Sequence, residues 1–516
     1  MDLAGDPAAI GRRDMRTVTA WLKYALVLAI APLLMAPSCV PHRIHWSPDG
    51  QRAIVLLEGG AYLCDAQGKL SKPLSAGIVQ VAWLADSKRL LGIQQVQLQT
   101  WKDVRGYLSE ERQQRLLSLV EPARKEILAH EGSFKGWRAP SAAALSNSEL
   151  PALWLCVCES SRDALREKLG SEWEELSKLA VVGRILRLYE AGPDGISASE
   201  EIFRTIDEVA DGSLKVSPDA TRFAFVDNDV ERGDLPAQPP GSGQASRSDD
   251  RVGTLRAGLI KPNAELCKVA GLAGWHPDWS ADGKSLVYAT TRQLAAGNDG
   301  LVLGTIARVE LAEQDGRLVL AGAATDLAGI LYFPDTKVVC LRDGRIVFAA
   351  LPVQLPATTQ QMPKAPSLFA IQPEQSAVVM PLMTSDPQVQ SIAEGFSQGM
   401  QELSPNGKCV TLVGGKNGSV GVYTFATGAM DVVLDLDESP KLSEVPSWRT
   451  DGELSLVVPA GHQWGSEKRC ELVLYSIETK QARCISRDWP DGLMEKLASE
   501  KAVASQPASA SQSQPQ

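Results

Sequence analysis

The sequence predicts an all-β fold: a seven-bladed β-propeller of four-stranded antiparallel blades, with a helix-containing α/β insertion in blade two. Three observations carry this expectation: seven copies of one turn-and-strand pattern, a second strand pair after most copies, and copy spacings that match a blade. Composition agrees, because 44% apolar and 22% charged residues over 516 positions describe a chain with ample core and not a disordered one. Length alone would suggest about three domains, but repeat folds run long as one unit.

The pattern is an apolar or aromatic residue, a turn with Asp or Asn and usually Gly, then a β-rich run. Its copies are WSPDGQRAIVLL (46–57), WLADSKRLLGI (83–93), VSPDATRFAFV (216–226), WSADGKSLVYA (279–289), LRDGRIVFAAL (341–351), LSPNGKCVTLV (403–413) and WRTDGELSLVV (448–458). In the first copy Pro48 presets φ at the first central position, Asp49 suits the second and Gly50 closes the turn. Strand-forming residues follow each turn, so each copy is read as the first hairpin of a unit. Second hairpins follow in CELVLYSIETKQARCIS (470–486), GSVGVYTFATGAMDVVLDL (418–436) and PSLFAIQPEQSAVVMPLM (366–383). The turn Asp or Asn residues stand at 49, 86, 219, 282, 343, 406 and 451, and the shortest steps match a bare blade of about 40 to 45 residues. Longer steps imply insertions at 102–182, 229–251, 292–299, 353–365 and 460–468, each between second and third strands and so all on one face. A sandwich or solenoid could hold such hairpins too; radial closure is favoured because it removes exposed edges.

These copies resemble the WD40-like repeat of the TolB-type propeller family, whose signature is the SPDG turn followed by an apolar strand. The resemblance spans about residues 42 to 490. Copies at 83 and 216 lack the Gly, and those at 216, 341 and 403 lack the aromatic. It implies a propeller and, often, an envelope location, but no particular ligand.

In the largest insertion, LSEERQQRLLSLVEPARKEILAHEG (108–132) has helical spacing in Leu116, Leu117, Val120, Ile127 and Leu128. A second helix fits 160–179, with Ser161 as N-cap and Leu165, Leu169, Trp173 and Leu176 as one stripe. Between them PALWLCVCES (151–160) reads as a buried strand, which makes the insertion α/β. Its helices are expected to pack on the insert or the propeller rim; the functional alternative is a cap that shapes a binding site over the channel.

Residues 1–38 have the layout of a secretory signal peptide: a basic stretch (11–16), an apolar run from Tyr24 to Met35, then Ala36, Pro37 and Ser38 before Cys39. That run rises about 18 Å as a helix, short of a bilayer core of about 30 Å. Cys39 after small residues resembles a bacterial lipobox, which implies a lipid-modified cysteine, although Ala36 stands where that family prefers Leu. A soluble periplasmic product and an uncleaved anchor are the alternatives. The propeller is expected over 39–101 and 183–490, interrupted by 102–182, with a short helix and a Ser/Ala/Gln-rich tail in 491–516 that cannot form a core. A tether of about 10 Å between Cys39 and a first strand near His42 would bring the insertion-bearing face close to the membrane.

A net charge of −10 argues against nucleic-acid binding, which needs a basic footprint. GFSQG (395–399) matches the G-x-S-x-G elbow, but the turn at Ser404 to Gly407 leaves no room for the helix it needs, so Ser397 is not expected to be catalytic. His42, His45, His130, His276 and His462 lack metal-ligand spacing, and His42 and His45 are expected on opposite faces of a strand. Cys64, Cys156, Cys158, Cys267, Cys340, Cys409, Cys470 and Cys484 read as buried small residues with no assigned disulfide or zinc site. The turn aspartates, such as Asp49, Asp282 and Asp451, read as structural. No catalytic, metal or cofactor residue is assigned, and lipidation at Cys39 is the one modification site. The expected role is binding or scaffolding of a protein or envelope polymer through the insertion-bearing face. The alternative is an enzyme (lyase, lactonase or hydrolase-like) at the channel mouth under the insertion, which needs His, Asp, Glu or a metal converging there.

Overall fold

The computed structural model describes residues 42–498 except 58–59, 74–76, 133, 135–136, 177–179, 193–194, 229–251, 292–301, 333–335, 353–366, 373–377, 380–400, 415–417 and 437–441. Cys39 and the GFSQG segment therefore lie outside the described residues.

The chain forms an all-β propeller. β1 (Ile44–Trp46), β2 (Arg52–Leu57) and β3 (Gly60–Asp65) make the first sheet, and β4 (Ile78–Trp83), β5 (Arg89–Leu98), β6 (Val181–Gly192) and β7 (Gly195–Thr205) the second. A thirteen-stranded sheet follows. It begins with β8 (Lys215–Val216), β9 (Arg222–Asp227), β10 (Val252–Leu259) and β11 (Cys267–Gly274). Next come β12 (Asp278–Trp279), β13 (Ser285–Thr291), β14 (Val302–Gln314), β15 (Arg317–Leu320) and β16 (Thr325–Tyr332). It ends with β17 (Val338–Cys340), β18 (Ile346–Pro352), β19 (Ser367–Ile371) and β20 (Val378–Val379). β21 (Glu402–Leu403), β22 (Cys409–Gly414), β23 (Ser419–Thr424) and β24 (Ala429–Leu434) form the fourth sheet. β25 (Ser447–Thr450), β26 (Glu453–Val458), β27 (Glu471–Ser476) and β28 (Ala482–Cys484) form the last. Short first strands neighbour one another around the axis: β1 touches β4 and β25, β4 touches β8, β8 touches β12, β12 touches β17, and β21 touches β25.

The strands thus hydrogen-bond into five sheets, not the seven separate blades expected from the sequence. The cause is the shortness of two first strands. β12 pairs with β13 only at Val287 and Leu286, so the end of β13 is left open and Thr290 pairs with Ala273 of β11. β17 covers β18 only as far as Phe348, and Leu351 and Pro352 pair instead with Leu331 and Ile330 of β16. Open strand edges take the nearest partner.

Six of the seven turns close through their own Asp or Asn side chain, which accepts the backbone N–H two residues on: Asp49 from Gln51, Asp86 from Lys88, Asp219 from Thr221, Asp282 from Lys284, Asp343 from Arg345 and Asn406 from Lys408. In the seventh, Asp451 accepts the backbone N–H of Asn406 in the neighbouring turn at 2.6 Å. The residue after the turn Asp or Asn has positive φ at Gly50, Gly283, Gly344 and Gly407, and Ser87 (56°) and Ala220 (57°) adopt it where Gly is missing. The motif dictates the turn even where its usual residue is absent.

Second strands read as near-continuous buried runs, as in β2, because both faces are covered by neighbouring units. Ile54, Leu56 and Leu63 pack with Ile78, Val81 and Leu90; Leu91, Ile93 and Leu186 pack with Phe223 and Phe225. The ring closes where Ile44, Trp46 and Val55 meet Val457, Leu472 and Leu474. Among the described residues no strand is exchanged across this seam. Buried Arg43 closes it, donating from Nε to Glu444 Oε2 (2.8 Å), from Nη1 to Lys496 O (2.8 Å) and from Nη2 to Ser443 O (3.0 Å) and Leu497 O. Lys496 and Leu497 belong to the C-terminal helix (Asp491–Ala498), which buries Met494 and Leu497 in the same cluster.

The insertion between β5 and β6 is helical, not α/β. It holds α1 (Trp101–Arg105), α2 (Glu110–Ala129), α3 (Glu149–Leu169) and a short α4 (Trp173–Leu176). The expected strand at 151–160 lies inside α3. Apart from Val157 this run lacks β-branched residues, and Pro151 stands in the first helical turn, where no N–H is missed. Ser161 does not cap a second helix; it sits at a kink within α3 (φ −148°, ψ 30°). The helices bury their own core around Leu116, Ile127, Leu153, Val157 and Leu165, continuous with Leu98, Val181 and Ile206 of the propeller.

Candidate functional site

The residue immediately before each motif copy is His45, Ala82, Lys215, Asp278, Cys340, Glu402 and Ser447 in turn. Alternation along a strand sets this residue apart from the aromatic or apolar residue that follows it. The aromatic partner has its own task. Trp83 Nε1 donates to His45 O (2.8 Å), and Trp448 Nε1 to Glu402 O (2.9 Å), so each indole ties its strand to the preceding unit. Trp46 does the same across the seam through Ser455 Oγ (3.0 Å), which donates to Ser447 O (2.9 Å). Trp279 is buried, and its indole N–H has no partner among the described residues.

His42, His45, Lys215, Asp278, Lys337 and Glu402 converge at the axis as a collar near the starts of the first strands. Lys337 Nζ donates to Glu402 Oε1 at 2.6 Å, and His42 Nδ1 lies 3.7 Å from the same oxygen. Burial alone would raise the Glu402 carboxyl, but Lys337, His42 and Lys215 outweigh it and hold it at about 2. Burial lowers His42, lowers His45 well below the ordinary imidazole range with His42 adding to the effect, and lowers Lys337. Burial also raises Asp278, whose oxygens accept the backbone N–H groups of Cys340 (2.8 Å) and Trp279 (3.0 Å). Both imidazoles are therefore neutral and Glu402 ionised at neutral pH. His42 and His45 do not point apart as expected: His42 precedes the strand and folds back, placing the rings 4.4 Å apart.

Ser447, His42 and Glu402 stand in the order hydroxyl, imidazole, carboxylate, as in a nucleophilic triad, with Ser447 Oγ 2.7 Å from His42 Nε2. The details oppose that use. Ser447 is 5% exposed, its hydroxyl donates to Ile44 O at 2.7 Å, and 3.7 Å is too long for a hydrogen bond from imidazole to carboxylate. With its proton on Ile44, Ser447 accepts from His42 Nε2–H. Through His42 and Ile44 O, Ser447 fastens β25 to β1.

Among the described residues no group of three or more His, Cys, Asp and Glu side chains could hold a metal ion. His130 stacks on Trp137 (4.3 Å), His276 O accepts from Val338, and His462 lies beside Trp464 (5.0 Å). The eight described cysteines are free, and burial pushes the Cys64, Cys156 and Cys158 thiols up to about 12, which makes them poor nucleophiles. The helical insertion is fixed by Arg112, which grips Asp207 with Nη1 (2.8 Å) and Nη2 (2.6 Å) and Glu149 with Nε (3.0 Å). An open groove lined by Gln67, Trp464, Arg483 and Arg487 lies at the outer edge of the last sheet, away from the collar. Among the described residues no helix is long and apolar enough to cross a membrane.

No family model matches this sequence, and no curated protein does. Among solved structures it is similar to a prolyl endopeptidase (12% identity, TM-score 0.42, covering 91% of this chain and 55% of that one). It is also similar to Pyrococcus horikoshii acylaminoacyl peptidase (11%, TM-score 0.36, 85% and 50%) and to a putative TolB from Agrobacterium tumefaciens (9%, TM-score 0.32, 55% and 83%). The chain spans about half the length of these peptidases.

Proposed function

We propose that this chain is an exported propeller of the cell envelope, held at the membrane by lipid on Cys39, that binds or scaffolds a protein or envelope polymer through its helix-bearing face. In this reading the ring has seven repeat units, three of them joined in the thirteen-stranded sheet. The observation that supports binding over catalysis is the condition of the collar: Glu402, Lys337, His42, Ser447 and Asp278 are already engaged with one another or with backbone groups. The helical insertion adds a folded surface, fastened to the propeller by Arg112 through Asp207.

Affinity capture from native envelope, with and without residues 102–182 replaced by a short turn, tests the role. Partner loss with an unchanged propeller melt supports it; full retention of partners refutes the assignment to this face. Replacing Cys39 with Ala should move the protein from membrane to soluble fractions, and unchanged fractionation refutes the anchor. Covalent labelling of Ser447 by a fluorophosphonate would replace binding with hydrolysis.

A further inference from the structure

β28 is the outermost strand of the last sheet, and its far edge is open. Leu472 O accepts the Ile485 N–H (2.9 Å) and Gln481 O accepts the Ser476 N–H (2.8 Å), so residues 481, 483 and 485 bond inward to β27. Alternation then turns the N–H and C=O groups of Ala482 and Cys484 away from β27, and among the described residues nothing pairs with them. A groove of about 600 Å³ follows this edge, lined by Ala482, Arg483 and Cys484 themselves and by Gln67, Trp464 and Arg487. A second hollow of about 390 Å³ adjoins it and shares Trp464, Cys484 and Arg487. The two walls differ. Ala482, Cys484 and Trp464 pack on the cluster shared with β23, and the rings of Tyr475 and His462, each 5.0 Å away, hold Trp464 in place. Arg483 turns to the first sheet, where Nη2 donates to Ala66 O (3.1 Å) in the turn after β3. Arg483 and Arg487 have no carboxylate partner among the described residues, whereas neighbouring Arg469 is spent on Glu471 (2.9 Å) and Asp491. Asp488 also lines the groove and offsets one of the two free charges, which leaves the groove positive in a chain whose net charge is −10.

We propose that this edge takes up one further strand from a partner polypeptide, an extended segment in which acidic residues alternate with apolar ones. Main-chain hydrogen bonds to the outward groups of Ala482 and Cys484 supply affinity, and side chains alternating between the two walls supply selectivity. Directly opposed residues of an antiparallel pair share a face. The residues opposite Ala482 and Cys484 therefore lie beside Trp464 and are apolar, while the residue between them lies opposite Arg483 and is acidic. A second copy of this strand is a poor occupant, because antiparallel pairing centred on Arg483 sets like charges opposite each other. The site uses none of residues 102–182, so it goes beyond the binding role proposed above and does not depend on it.

The test is calorimetric titration of the whole chain with acetyl-Thr-Asp-Val-Glu-Val-Asp-Thr-amide. One control peptide carries Lys in place of each acid, and another carries N-methyl groups on both valines. We expect the acidic peptide to bind, both controls to bind at least about ten-fold more weakly, and hydrogen exchange over 481–486 to slow in the complex. Arg487→Glu, at an exposed position, should weaken the acidic peptide at least about ten-fold and strengthen the Lys peptide with an unchanged melt. Arg483→Glu repeats the reversal on the second arginine. No binding of the acidic peptide, equal binding of either control, unchanged exchange over 481–486, or no effect of either reversal overturns the proposal. Protection of 481–486 in the free chain that is lost on dilution assigns the edge to a second copy, and protection lost on removing 499–516 assigns it to the chain's own tail; either result overturns it as well. Peptide binding should survive deletion of 102–182, and its failure leaves the scaffold reading standing.

Discussion

Replacing Glu444 with Gln should destabilise the propeller at its seam by about 3 kcal/mol. Arg43 and Glu444 are both 2% exposed, and the guanidinium reaches the carboxylate at 2.8 Å. Breaking a buried ion pair by removing one partner costs about 3–5 kcal/mol, because the remaining charge is left without compensation. The low end applies because Arg43 keeps the carbonyls of Ser443, Lys496 and Leu497 as acceptors. Against a total of about 5–15 kcal/mol this is a large fraction. Urea unfolding measures it, and hydrogen exchange should show residues 42–57 and 485–498 opening first. The double variant Arg43→Met/Glu444→Leu should lose less than the sum of Arg43→Met and Glu444→Leu, since no buried charge remains. A loss under about 1 kcal/mol for Glu444→Gln, or an additive double variant, would refute a seam held by this pair.

Three further outcomes follow from named contacts. His42 and His45 resist protonation in the fold, so the unfolded chain binds more protons below pH 6.5 and stability should fall as pH drops from 7 to 5. Each imidazole contributes up to about 1.4 kcal/mol per pH unit, and urea titrations of His45→Phe should show a shallower slope. Ala220→Gly should stabilise the turn by about 0.5–1 kcal/mol, since Ala220 holds φ 57°, with a higher melting temperature as readout. Arg112→Met should loosen the insertion by about 1.5–3 kcal/mol, seen as faster proteolysis within 110–169 while the propeller strands stay protected.

The sequence by itself determined the propeller, because the turn chemistry is local: an Asp or Asn two residues before the N–H it binds is the same interaction in a peptide as in the fold. Apolar strand runs after each turn were legible for the same reason. The helical character of 151–160 was not, since a short apolar run fits a buried strand or a buried helix equally and only its packing against Leu116 and Ile127 decides. Sheet count belonged to the tertiary structure too, because whether β13 and β18 pair with a preceding sheet depends on how far the first strands extend. Four collar residues, His45, Lys215, Asp278 and Glu402, stand one position before a motif copy, yet nothing local marks them as neighbours. They lie 357 residues apart from first to last, and only closure of the ring brings their charges within reach of one another.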